Sequence, residues 1–251
     1  MQPPDALPGA FVGVLAGALA GALAGVLAGS SDGASAPAAA LQQRLDALAA
    51  RIPLAITSHE SDALMQYLAL LQRWNTTYNL TSVRDPAQML TQHLVDCLAI
   101  VPALRRHTGH APQRVLDVGS GGGLPGAVLA ALNPAWDVTC VDSVGKKAAF
   151  VQQAAVELRL ANLHSQHSRV EQLKTSPFNL ITSRAFASLP DFVNLTRHHL
   201  VPGGAWVAMK AKRPEAELAA LPAGVAVFHV EQLDVPELGA ERCLVWMRPS
   251  L

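Results

Sequence analysis

Apolar and polar positions change rhythm twice along this chain of 251 residues. From Leu41 the apolar residues recur three and four positions apart. The stretches "LQQRLDALAARI" (41–52) and "SHESDALMQYLALLQRWNTTYNL" (58–80) each gather leucines on one helical stripe, the second with Ser58 and Ser61 as candidate caps ahead of Leu64, Leu68 and Leu71. The pattern predicts a small helical cap subdomain over 41–112. After Gln113 the apolar runs shorten and become β-branched. "RVLDVG", "DVTCVD", "FNLITSRA" and "GGAWVAMK" read as strands, with "LPGAVLAALN", "GKKAAFVQQAAVELRL" and "LPDFVNLTRHHL" as the helices between them. This alternation predicts an α/β fold, a Rossmann-like, doubly wound and mostly parallel sheet over 113–251. The runs "GVAVFHVEQL" and "ERCLVWMRP" are read as a closing antiparallel pair, giving the sheet an antiparallel C-terminal strand.

The N-terminal stretch has no polar face. "GAFVGVLAGALAGALAGVLAG" (9–29) carries no charge and repeats glycine every fourth residue. About 20 such residues can span a bilayer, and small-xxx-small spacing suits helix packing. The stretch is nevertheless Ala and Gly rather than Leu, Ile and Phe, and no Lys or Arg precedes it. Residues 1–40 are read as a disordered low-complexity extension rather than a membrane anchor, with "SSDGASAPAAA" (30–40) as a flexible linker.

Glycine supplies the candidate chemistry. In "VLDVGSGGGLPG" (115–126), Gly119, Gly121 and Gly123 form G-x-G-x-G after Asp117, between the first strand and the first helix of the α/β region. That is where such sheets bind nucleotide-like ligands, and glycine lets a ligand approach the main chain or lets the main chain take positive φ. Asp142, ending "DVTCVD", can accept hydrogen bonds from both hydroxyls of a ribose. A dinucleotide needs G-x-G-x-x-G and a helix N-terminus for its pyrophosphate; here the third glycine comes one residue early and Pro125 removes an N–H. S-adenosylmethionine has no phosphate and suits this loop better.

Charge and cysteine content exclude some classes. The formal net charge is +0, so no overall basic field favours nonspecific coating of nucleic acid, and any RNA contact must come from local patches. Cys97, Cys140 and Cys243 are widely spaced with no C-x-x-C, which points to a reducing compartment and against a structural zinc. A cytoplasmic monomer without metal is expected. A nicotinamide oxidoreductase is disfavoured by the loop spacing, and a membrane-tethered binding protein would require the Ala/Gly repeat to insert.

The blocks "RWNTTYNLTSVRDPAQMLTQHLVDCL", "LDVGSGGGLPG", "VDSVGKKAAF", "SRVEQL" and "ITSRAFASL" resemble those of the bacterial glucose-inhibited division protein B family, the small-subunit ribosomal RNA guanine-N7 methyltransferases, from about Leu41 to Met247. The resemblance implies a class I methyltransferase that uses S-adenosylmethionine to methylate one guanine N7 of small-subunit ribosomal RNA, as naked RNA or in the ribosomal subunit. By motif it implies that Gly119 and Leu124 line the cofactor, Val170 and Glu171 flank its adenine, Arg184 borders its site and Asp142 holds its ribose. Two details depart from the pattern. "MKAK" (209–212) stands where L-K-G is expected, and Gly122 where proline is common.

Guanine N7 has an in-plane lone pair and no proton, so the chemistry needs positioning and desolvation rather than a general base. Donors to O6 and cations for phosphate are sought in Arg184, Lys210, Asn75, Asn79, His93 and Asp96. Arg184 and Lys210 are taken as the catalytic pair, each ending a parallel strand. Asn79 and Asp96 could equally cap or bridge helices, and His93 could be a satisfied interface histidine. Of three basic clusters, Arg105–His107, Arg197–His199 and Lys210 with Lys212 and Arg213, the third is expected to meet phosphate.

Overall fold

Alternation of side chains between two apolar faces organises the chain from Arg114 onward. In this computed structural model, which describes residues 32–250, seven strands form one sheet in the order β3 (Leu163–His167), β2 (Asp137–Asp142), β1 (Arg114–Val118), β4 (Phe178–Arg184), β5 (Leu200–Lys210), β7 (Arg242–Pro249), β6 (Val225–Leu233). The expectation of a disordered extension lies, for residues 1–31, outside the described residues. The stretch read as a linker is helical where it is described, because α1 runs Asp32–Ala49. Its alanines are strong helix formers.

Two further helical segments precede the sheet. The first is α2 (Ser58–Tyr78), whose cap is Thr57 rather than Ser58: Thr57 accepts from Glu60 N while the Glu60 carboxylate accepts from Thr57 N, a complete capping box. Ser61, the other predicted cap, instead donates to Asp46 Oδ1 at 2.6 Å and ties α2 to α1. The second is an apolar stretch, 86–108, built from α3 (Pro86–Met89), a π-helical turn (Leu90–Val95), α4 (Asp96–Leu98) and α5 (Val101–Thr108). Although long and apolar enough for a bilayer span, it is mostly buried in this fold.

The sheet follows as β1 (Arg114–Val118), α6 (Gly126–Leu132), β2 (Asp137–Asp142), α7 (Gly145–Glu157), β3 (Leu163–His167), β4 (Phe178–Arg184), α8 (Leu189–Thr196), β5 (Leu200–Lys210), α9 (Glu215–Ala219), β6 (Val225–Leu233) and β7 (Arg242–Pro249). Strands β1 to β5 are parallel, and β7 runs antiparallel to both β5 and β6. Val115, Val138, Leu180 and Val207 point into one core shared with the helices of 41–108, whereas Leu116, Val141, Ile181 and Trp206 point into the other, with α8. Burying both faces explains why these strands read as nearly continuous apolar runs.

Strand β3 has no counterpart in the sequence reading. It is "LHSQH", with only Leu163 buried, because it is the edge strand paired on one side with β2. A polar edge strand carries no hydrophobic periodicity and discourages edge-to-edge pairing. Strand order reverses between β1 and β4, and ligand sites in such sheets form outside the carboxyl ends at that reversal.

Candidate active site

Two adjoining lobes open at that edge, one of about 450 Å³ and one of about 560 Å³, with Gly119, Lys147 and Ala185 lining both. The first lies over β1 and β2 and brings together Gly119, Asp142, Val170 and Glu171. The second brings Gly121, Leu124, His93, Asp96, Arg184 and Lys210 together with the loop 80–83.

The glycine loop is bent over the end of β2. Gly119 N and Ser120 N both donate to Val141 O, at 2.9 and 3.2 Å, and Gly121 N donates to Asp142 Oδ2 at 2.9 Å. Gly119 adopts φ +63°, and a Cβ there would stand 2.3 Å from Phe186 Cδ2. Only glycine leaves the first lobe its shape at that point. Asp142 also accepts from Val144 N at 2.8 Å through Oδ1. Each carboxylate oxygen therefore retains acceptor capacity toward the lobe. Behind the loop, Gly126 N donates to Asp117 Oδ2 at 2.8 Å, while Asp117 Oδ1 is buried without a partner. Burial pushes the Asp117 carboxyl up to about 7, against the opposing effect of the Gly126 N–H.

The second lobe is walled by the helical segments. Asn75 is buried and clamps the loop, accepting from Thr81 N at 2.9 Å and donating to Val83 O at 3.3 Å. Thr81 Oγ1 lies 2.9 Å from His93 Nε2, and burial, reinforced by the Arg184 charge, lowers the His93 imidazole to about 4. His93 is thus neutral at pH 7. Asn79 ends α2 in the left-handed conformation, φ 48°, and accepts from Arg84 Nη2 at 2.7 Å. Asparagine is among the few non-glycine residues that tolerate this.

The cations differ in freedom. Arg184, at the end of β4, donates through Nη1 to Gln92 O at 3.0 Å and to Asp96 Oδ2 at 3.2 Å. Lys210, at the end of β5, lines the same lobe, but its ammonium is engaged by Glu217 Oε2 at 2.8 Å and Ala187 O at 3.0 Å. Of the other basic clusters, Arg105 donates to Asn133 Oδ1, Arg106 pairs with Glu231 and His107 packs on Trp246. His199 Nε2 meets Val170 O at 2.8 Å and so supports a wall of the first lobe.

A family model described as rRNA small subunit methyltransferase G matches residues 60–245. The chain belongs to this family. The ribosomal RNA small subunit methyltransferase G of Leptothrix cholodnii is 60% identical over 194 residues, covering 77% of this chain and 89% of the relative. That of Verminephrobacter eiseniae is 54% identical over 228 residues, covering 84% and 95%. Among solved structures, the magnesium protoporphyrin IX methyltransferase of Synechocystis with bound SAM superposes with TM-score 0.54 at 13% identity, over 72% of this chain and 97% of that one. Its fold is that of the class I methyltransferases.

In this methyltransferase the predicted site residues divide into two sets. Gly119, Gly121, Leu124, Asp142, Val170, Glu171, His93, Asp96, Arg184 and Lys210 line the two lobes. Gly123, Asn75 and Asn79 do not. Gly123 is a packing residue, since a Cβ there would stand 2.9 Å from Val151 Cγ2. Sequence reasoning missed Lys147, Phe186 and Arg242, all of which line a lobe. Lys147 lies within the quoted block "VDSVGKKAAF", and Phe186 within "ITSRAFASL". Arg242 carries no local signal. Among the described residues, no group of three or more His, Cys, Asp or Glu side chains is placed to hold a metal ion.

Proposed function

We propose that this enzyme transfers the methyl group of S-adenosylmethionine to the N7 of one guanine in small-subunit ribosomal RNA, acting as a cytoplasmic monomer. The observation that carries the reading is the paired lobes meeting at Gly119: one suited to an adenosine, the other walled by the helical segments and lined by guanidinium groups. Residues 41–112 serve in it as the cap and 113–251 as the catalytic domain.

The residues present fit that cofactor. Asp142 can accept the ribose hydroxyls, Val170 offers an apolar surface to adenine beside Glu171, and Gly119, Gly121 and Leu124 leave main chain and a buried side chain toward its methionine end. Bound there, the cofactor supplies an electrophilic methyl on a sulfonium. The protein's own task is to exclude water and orient the base, because guanine N7 needs no proton removed. His93 is held neutral by burial and adds no charge to the lobe. Arg184 supplies a permanent, planar positive charge beside the reacting base. Lys210 reaches phosphate on releasing Glu217, Asn75 acts on RNA through the loop 80–83 that it holds, and Asn79 through Arg84, which donates to it.

The test is transfer of labelled methyl from S-adenosylmethionine to unmodified small-subunit RNA and to assembled subunits, followed by nucleoside analysis. Label in N7-methylguanosine supports the reading. Label in any other nucleoside overturns it.

A further inference from the structure

Asp96 is 1% exposed, and a buried carboxylate needs partners. It has two: Arg184 Nη1 on Oδ2 at 3.2 Å, and Arg242 Nε on Oδ1 at 2.8 Å. The second arises from topology. Strand β7 is antiparallel to β5, with Cys243 opposite Lys210, so β7 begins where the parallel strands end and delivers Arg242 to the ligand edge. One carboxylate balances only one of the two guanidinium charges.

Each guanidinium uses part of its donor set on this brace. Arg184 Nη1 also donates to Gln92 O, and Arg242 Nη1 donates to Glu241 O at 2.9 Å. Arg184 Nε and Nη2 and Arg242 Nη2 make no hydrogen bond to a described residue, and none of the three is sealed from solvent. Both side chains line the second lobe. A planar fork held from one edge presents its other edge pre-oriented, and that geometry matches phosphate oxygens.

We propose that Arg242 and Arg184, braced through Asp96, form the subsite for the phosphodiester of the target nucleotide, with Asp96 as the positioning residue. This rests on the reading of RNA as substrate. The other anion this lobe could meet is the carboxylate of the cofactor's methionine part. Sheet order favours the RNA phosphate, because the methionine end is read against the loop that follows β1, and β7, which carries Arg242, lies three strands from β1.

The experiment measures binding of unmodified small-subunit RNA at several salt concentrations, S-adenosylmethionine affinity, and single-turnover methylation at saturating RNA, for wild type, Arg242→Ala, Arg242→Lys and Asp96→Asn. Arg242→Ala is expected to weaken RNA binding about tenfold and to reduce the slope of log K against log salt by roughly 0.7 to 0.9, one phosphate contact, leaving cofactor affinity within about twofold. Arg242→Lys keeps the charge and hence the slope but loses the planar fork, so RNA affinity should fall several-fold at an unchanged slope; an undiminished affinity overturns the subsite independently, should the alanine variant misfold. Asp96→Asn keeps both cations and the slope, but single-turnover methylation falls about tenfold because neither fork is held. A wild-type slope in Arg242→Ala, loss confined to cofactor affinity, or an undiminished rate in Asp96→Asn overturns the subsite. A wild-type enzyme that methylates no small-subunit RNA overturns the underlying reading instead, and the binding slopes still decide the subsite.

Discussion

The Tyr67 hydroxyl donates to the Gly122 carbonyl at 2.6 Å, joining α2 directly to the glycine loop. Tyr67 is buried and packs edge-on against Phe150 of α7, with ring centroids 5.8 Å apart. α2, α7 and the glycine loop therefore meet at one side chain. A Cβ at residue 122 would stand 3.3 Å from the Tyr67 hydroxyl oxygen, so glycine there leaves the bond its room.

Tyr67→Phe removes this bond and leaves a carbonyl beside an apolar ring. A loss of about 1 kcal/mol in stability is expected, together with cofactor binding weakened several-fold as the loop loosens. Thermal unfolding and calorimetric titration of S-adenosylmethionine check both.

Asp142→Ala removes the proposed ribose acceptor and the two main-chain contacts that shape the loop, from Gly121 N and Val144 N. Charge-assisted hydrogen bonds of roughly 1.5 to 3 kcal/mol each imply at least a tenfold loss of cofactor affinity. Titrating S-adenosylmethionine and NAD into wild type and variant measures this and tests cofactor class as well. Tight NAD binding by wild type contradicts the assignment.

Two buried groups make opposing contributions to pH dependence. His93 is lowered to about 4 by burial, so unfolding takes up a proton between about pH 4 and 6.5, and its contribution is lost as pH falls through that window. Asp117 is raised to about 7 by burial, so unfolding releases a proton between about pH 4 and 7, and its contribution is lost as pH rises. Over about pH 4 to 6.5 the two nearly cancel. Asp117→Asn should leave the His93 contribution uncovered, so that stability relative to wild type climbs with pH by up to about 1.4 kcal/mol per unit. His93→Gln should show the reverse slope. Denaturant unfolding at several pH values measures both.

Lys210→Ala leaves the half-buried Glu217 carboxylate without its ammonium, although Leu189 N still donates to it at 2.6 Å. A stability loss of about 1 to 2 kcal/mol is expected. If Lys210 also reaches phosphate, the salt slope of RNA binding falls by nearly one; an unchanged slope assigns the residue to the scaffold.

How much of this was legible in the sequence depends on how local the signal was. The glycine loop and Asp142 could be placed because strand, turn and helix lie consecutively within 115–142. β-Strand β3 could not, since one buried leucine among polar residues gives no period. The cap falls on Thr57 rather than its neighbour Ser58 because cap position is settled by backbone dihedrals that differ over a single residue. Asp96 was legible as a candidate but not in its pairing. Its partners Arg184 and Arg242 lie 88 and 146 positions away in sequence, and only the order and direction of β4 and β7 bring them to it.

The most direct measurement is a comparison of N7-methylguanosine in small-subunit ribosomal RNA from cells with and without this protein. One N7-methylguanosine should vanish in its absence and return when the chain is supplied again. An unchanged set of N7-methylguanosines would contradict the account.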